Sequence, residues 1–298
     1  MALVESDEIV EARIRLEGVV PAGSVMEAVL KKAGTPALAA VDAQEYLLPN
    51  GASGATEGRT IAIEVTREAI PGPEPWKRPL ARLATAGNAF PEEGQLLPFP
   101  APGDRLGQLG WVDLIDEARG GVIRFASGEL RVFVTPAMTL IDVDGTLPPA
   151  ELAVAGARAA ARAIRKHGIG GSIGIDLPTV GGRAQRQAAA EAIDAVLPPP
   201  FERTAVNGFG FVQIVRPRTH ASLFELAADR AAFEARALLR SAAFERPGPK
   251  RLVAHPAVAA ILEGKPDWID ALARQTGGVM TLRANPSIPI HGGYAETF

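Results

Sequence analysis

Residues 137–186 constrain the fold most, because they read as strand, long helix and strand. The apolar run from Met138 to Val143 leads through Asp142 and Asp144 into a turn at Gly145 to Pro149. A helical pattern follows from about Ala150 to His167 and stops at Gly168, and a second apolar run, Ser172 to Leu177, carries Asp176. Such a crossover is right-handed and makes its two strands parallel. As neighbours they lie roughly 5 Å apart. Asp142 and Asp176 then share a carboxyl-terminal edge, where open α/β sheets hold their ligands. Two carboxylates that close repel unless a proton or a cation lies between them. Mg²⁺ suits the place, since it accepts one or two protein carboxylates and leaves its other positions to water and phosphate oxygens. Mn²⁺ is the natural substitute.

The rest of the chain divides around this unit. Residues 1–83 are expected to form a β-rich domain, with alternation at Ile9 to Leu16, Val25 to Leu30, Ala37 to Val41 and Ile61 to Val65, and this spacing suggests a small barrel. Residues 84–110 read as a Pro- and Gly-rich linker. Residues 111–220 are expected to be an α/β core, with a further helix at about Arg186 to Val196 and a strand at Phe209 to Val215. Residues 221–298 are expected to form a small α/β domain. Thr219 to Phe244 reads as one long helical pattern, then Arg251 to Ala254 as strand, His255 to Leu262 and Asp267 to Thr276 as helices, and Val279 to Arg283 as strand.

Several chemistries are closed to this composition. With no cysteine, disulfides, thiol catalysis and cysteine-ligated zinc are excluded, and a cytoplasmic location is expected. The net charge of −3 leaves nucleic-acid contact to local patches. No apolar run approaches the ~18 residues of a membrane helix, and the N-terminus lacks a signal pattern, so no membrane partner is expected. The four histidines (His167, His220, His255, His291) lack metal-ligand spacing. Gly170 to Gly174 matches G-x-S-x-G in letters, but Ser172 stands before its strand, not between strand and helix.

Asp142-Val-Asp144-Gly-Thr also resembles the opening motif of haloacid-dehalogenase-type phosphatases, which implies Asp142 as nucleophile and Asp144 as general acid. The Lys and second carboxylate pair of that chemistry would fall to Lys265, Asp267 and Asp270, in a helical stretch. Basic residues recur at helical spacing on the central helix (Arg158, Arg162, Arg165, Lys166), with Arg183 and Arg186 after the second Asp and Arg216 and Arg218 after the later strand. Beside paired carboxylates they are candidates for phosphate positioning.

Several segments resemble the ribonuclease E/G family, in that family's order. TPAMTLIDVDG (135–145) is similar to the strand bearing its first metal Asp, which implies Asp142, and GIGGSIGIDLPTVGGRAQRQ (168–187) to its second, which implies Asp176. NGFGFVQIVRPR (207–218) resembles the segment after its catalytic core, and HPAVAAIL (255–262) its small C-terminal domain. PALAAVDAQEYLLP and EGRTIAIEVTREAIPG resemble a reduced OB-fold barrel. The likeness implies an α+β / α/β chain with a degenerate OB-fold, a ribonuclease H/DNase I-like core and a small α/β domain. It implies a Mg²⁺-dependent endoribonuclease cutting single-stranded RNA to 5′-phosphate and 3′-hydroxyl ends. Asp142 and Asp176 would hold the metal, and Asp144, where the family has Asn, would orient water or cap its turn. Arg162, Arg183, Arg186, Arg216 and Arg218 would contact RNA. The family's paired-cysteine zinc link is absent here, its 5′-monophosphate sensor has no counterpart, and Gly208 stands where it has Arg. A non-catalytic RNA-binding or regulatory protein of the same fold is the main alternative, and the oligomeric state stays open.

Overall fold

A computed structural model describes residues 1–72, 77–84, 97 and 103–298. The expected linker over 84–110 lies mostly outside these residues. In chain order, β1 (Ala2–Glu5) and β2 (Glu8–Ala12) form a hairpin. Five strands follow: β3 (Val25–Lys32), β4 (Ala37–Val41), β5 (Gln44–Leu48), β6 (Thr60–Arg67) and β7 (Leu80–Leu83). Helices α1 (Arg105–Gln108) and α2 (Trp111–Gly120) precede β8 (Val122–Phe125), β9 (Gly128–Val134) and β10 (Thr139–Gly145). The central unit continues with α3 (Pro149–Lys166), β11 (Gly171–Asp176), α4 (Arg183–Asp194), β12 (Glu202–Arg203) and β13 (Phe211–Arg216). The chain ends in α5 (Leu223–Ala228), α6 (Arg230–Ala243), β14 (Lys250–Ala254), α7 (Pro256–Glu263), α8 (Pro266–Thr276), β15 (Met280–Ala284) and β16 (Tyr294–Thr297).

These elements make a mixed α+β protein of two compact units, one from Met1–Glu93 with Gly120–Glu225, the other from Gly94–Arg119 with Leu226–Phe298. The first unit holds both a closed barrel, in the order β3-β4-β5-β7-β6, and a six-stranded sheet, in the order β12-β13-β11-β10-β9-β8. In the barrel, alternate residues such as Ala28 and Leu30 turn inward to meet Tyr46, Leu48, Ile63 and Val65. β7, too short to stand out in the sequence, closes it by pairing with β6 and, at Leu47 and Leu80, with β5. The alternation at Ile9 to Leu16, expected to belong to the barrel, instead supplies β2 of a separate two-stranded hairpin with β1. That hairpin rests on α3, whose Arg165 pairs with both Glu5 and Glu11.

In the sheet, β10 and β11 run parallel and the other pairings are antiparallel. Thr139, Ile141 and Val143 are buried beneath α3, and α4 packs beside α3. Gly156 of α3 lies directly over Val143, which lets the helix approach closely. Alternation along β10 therefore sends Leu140, Asp142 and Asp144 to the face away from α3.

The second unit wraps α6, α7 and α8 around a three-stranded sheet, β15-β14-β16, over a core including Leu238, Leu252, Val258 and Leu262. The helical pattern read over 219–244 is two helices: Asp229 caps α6 by accepting from the Ala232 N–H, which breaks the run. Residues 111–119 were expected in the core, yet they pack in this unit. There Arg119 of α2 clamps the buried Glu234 of α6 through 2.6 and 2.8 Å bonds.

Candidate functional site

Asp142 and Asp176 are direct partners in the β10–β11 register. Side-by-side residues on neighbouring parallel strands project to the same face, so both carboxylates stand on the face away from α3. Asp176 ends β11, whereas β10 runs three residues past Asp142 to Gly145. Asp144 shares their face one pleat further on and is exposed. Burial, then the charges of Asp144 and Asp176, push the Asp142 carboxyl above its ordinary range; a bond from the Val143 N–H and the charge of Arg131 pull against this. The part of this shift that comes from neighbouring carboxylates is relieved by a cation between them. The donor set, two carboxylates with solvent-facing room, fits a hard divalent ion that keeps most of its waters. Among the described residues no group of three or more His, Asp or Glu side chains is arranged to hold a metal, so any ion here rests on the pair.

The antiparallel partner β9 adds residues that sequence reasoning missed. Arg131 lies opposite Asp142, and Glu129 opposite Asp144. The Arg131 guanidinium donates to Glu129 at 2.7 and 3.0 Å, and that bond, with the charges of Asp144 and Asp142, raises its pKa. On the other side, Phe211 of β13 lies opposite Asp176, and its ring covers Gly174: a Cβ there would meet Phe211 Cζ at 2.6 Å and Leu140 Cδ2 at 2.9 Å. One row across the sheet is thus Arg131, Asp142, Asp176 and Phe211. The signal for Arg131 was the alternating ELRVFV run before the central unit. Its register depends on the turn at 135–138, where Thr135 Oγ1 donates to the Met138 carbonyl at 2.7 Å.

The other candidate residues divide by sheet edge. Arg183 opens α4 at the Asp176 edge and is exposed. Arg186 is half-buried and donates to the carbonyls of Val180 and Gly181 at 3.1 and 3.0 Å, so it braces the loop after β11. Arg216 and Arg218 are not brought to the carboxylates. β13 runs antiparallel to β11, so Arg216 lies opposite Gly171, five residues from Asp176 and roughly 17 Å away. There Arg216 donates to the Ile169 carbonyl at 3.4 Å and Arg218 pairs with Glu225. Arg162 is exposed near the C-terminal end of α3, which returns to that same far edge before β11 begins. Among the histidines, His167 is buried against Phe224, His220 is half-buried, and His255 caps α7 by accepting from the Ala257 N–H. Ser172 is the second residue of β11, without the strand-to-helix turn of a nucleophile elbow. Lys265, Asp267 and Asp270 belong to α8 and its N-cap in the second unit.

Comparison with protein-family models and with curated proteins finds no match for this chain. Among the described residues no helix is long and apolar enough to cross a membrane.

Proposed function

We propose that the protein is a Mg²⁺-dependent endoribonuclease that hydrolyses single-stranded RNA to 5′-phosphate and 3′-hydroxyl ends. The observation that carries this reading is the in-register Asp142–Asp176 pair on one sheet face, with the Asp142 carboxyl pushed above its ordinary range by burial and then by the charges of Asp144 and Asp176. The closed five-stranded barrel supports it as the reduced OB-fold-like RNA-binding element, and the six-stranded sheet as the ribonuclease H/DNase I-like core. A divalent ion bound by the pair would supply an activated water and neutralise charge on the phosphoryl oxygens. Asp142 and Asp176 would hold that ion. Asp144, exposed on the same face, would accept a hydrogen bond from a water there and orient it. Arg131 binds a non-bridging phosphate oxygen beside Asp142, and Arg183 meets the RNA backbone at the same edge. Arg162, Arg216 and Arg218 take no part in this step, since they lie at the other edge.

The alternative of a non-catalytic RNA-binding protein keeps one observation in its favour, the lack of a third acidic or imidazole ligand among the described residues. The phosphatase reading needs Lys265, Asp267 and Asp270, and nothing in α8 supports that role. One assay separates them: labelled unstructured RNA with Mg²⁺ or EDTA, using the parent, Asp142→Asn and Asp176→Asn. Metal-dependent internal cleavage lost in both variants, with melting temperatures level or higher, is expected. Variants as active as the parent would remove the site. Hydrolysis of p-nitrophenyl phosphate lost in Asp142→Asn, with RNA untouched, would favour the phosphatase.

A further inference from the structure

Phe209 is 82% exposed, more than any other large apolar side chain among the described residues. Its turn is pinned from several sides. Asn207 Oδ1 accepts from the Phe209 and Phe211 N–H groups at 2.9 and 3.0 Å, and Thr179 Oγ1 donates to the Phe209 carbonyl at 3.0 Å. The Gly210 N–H donates to the Asn207 carbonyl, and the Leu177 N–H, next after Asp176, donates to the Gly210 carbonyl, both at 3.2 Å. Gly210 has φ +93°, and a Cβ there would collide with the Leu177 carbonyl oxygen. The backbone that carries the ring is therefore held in place, two residues and roughly 7 Å of chain beyond the residue opposite Asp176, and the ring stands in water.

We propose that Phe209 is a nucleobase-stacking residue, on which a base flanking the scissile phosphate of single-stranded RNA packs. This rests on the nuclease reading for its scissile phosphate, though not for the stacking itself. An exposed aromatic ring offers an apolar face to any base without a hydrogen-bond code, and the pinned turn beneath it lowers the backbone ordering cost of binding. The turn that carries Phe209 leads directly into Phe211, the residue opposite Asp176, so a base on Phe209 lies within about one nucleotide of the row of Asp176, Asp142 and Arg131.

The test is equilibrium binding of a fluorescein-labelled oligouridylate in EDTA, read by anisotropy, for the parent, Phe209→Ala and Phe209→Trp. A set of oligomers each lacking one base is measured in parallel, and cleavage of the intact oligomer is followed separately in Mg²⁺. Phe209→Ala is expected to weaken binding about tenfold or more, and Phe209→Trp to keep it. One abasic position should weaken binding to the parent and have no effect on Phe209→Ala. Equal affinities for the parent and Phe209→Ala, or an abasic penalty unchanged in the variant, would overturn the proposal. Cleavage by the parent with that result would sink stacking alone. Phe209-dependent binding without Mg²⁺-dependent cleavage would sink the nuclease and leave stacking. No binding and no cleavage by the parent would sink both.

Discussion

Gly156→Ala tests the packing that aims the carboxylates. The substitution adds a methyl group in the interior of α3, where Ala is worth about 1 kcal/mol more than Gly in helix propensity. That methyl has nowhere to go: a Cβ at 156 would collide with Val143 Cγ1, with Val143 Cβ and Cγ2 each at 3.4 Å. Val143 is buried and β-branched, so it turns aside poorly. Overpacking of this kind costs about 1–3 kcal/mol, which outweighs the propensity gain and leaves a net loss of about 1 kcal/mol. Val143→Ala alone should cost about 2–3 kcal/mol, for two methyl groups and the space they leave. In that background the nearest atom to the new methyl is the Cβ of residue 143, at ordinary contact distance, and Gly156→Ala should stabilise by about 1 kcal/mol. The sign reverses, for a coupling of about 2 kcal/mol, well above the ~0.5 kcal/mol scatter of independent sites. Urea denaturation measures it, with native-state hydrogen exchange of the β10 amides to separate the two compact units. A stabilising Gly156→Ala in the parent, or effects that add, would refute the packing account. So would unchanged RNA cleavage in a variant whose β10 amides show lost protection, because Val143 sits between Asp142 and Asp144.

Three further outcomes follow from the structure. Burial chiefly lowers the His220 pKa below its ordinary 6.5, so the unfolded chain binds the extra proton as pH falls. Stability should therefore drop through and below about pH 6.5, and His220→Gln should flatten that slope in melting curves; parallel slopes would count against it. Arg119→Met strands the buried Glu234 carboxylate and should cost about 2–4 kcal/mol, at the lower end because Arg119 is partly exposed. Arg119→Met with Glu234→Leu should recover most of the loss, and a double variant as unstable as the single would contradict this. Arg131→Ala, at an exposed position, should leave the melting temperature level and lower kcat/KM for RNA about tenfold; unchanged kinetics would remove Arg131 from phosphate binding.

Local sequence determined most of the elements, because hydrophobic period and stop signals are properties of contiguous residues. β4 is Ala37–Val41 in both readings, and α7, α8 and β14 start within about a residue of expectation. The placement of Asp142 beside Asp176 was also legible, since a crossover of one helix between two strands leaves little choice of direction or hand. Short strands without pattern, β5, β7 and β16, were not legible, because pairing partners alone make them strands.

Tertiary structure alone decided which charges meet the carboxylates. Arg216 and Arg218 follow a strand as Arg183 and Arg186 follow theirs, and nothing local distinguishes the two pairs. β13 enters antiparallel to β11, which sends its trailing arginines to the far edge and its leading turn, with Phe209, to the edge of Asp176. Register, likewise non-local, set Arg131 opposite Asp142. Strand direction and register are relations between segments distant in sequence, stabilised by backbone hydrogen bonds that carry no side-chain identity, so they emerge only when the sheet assembles.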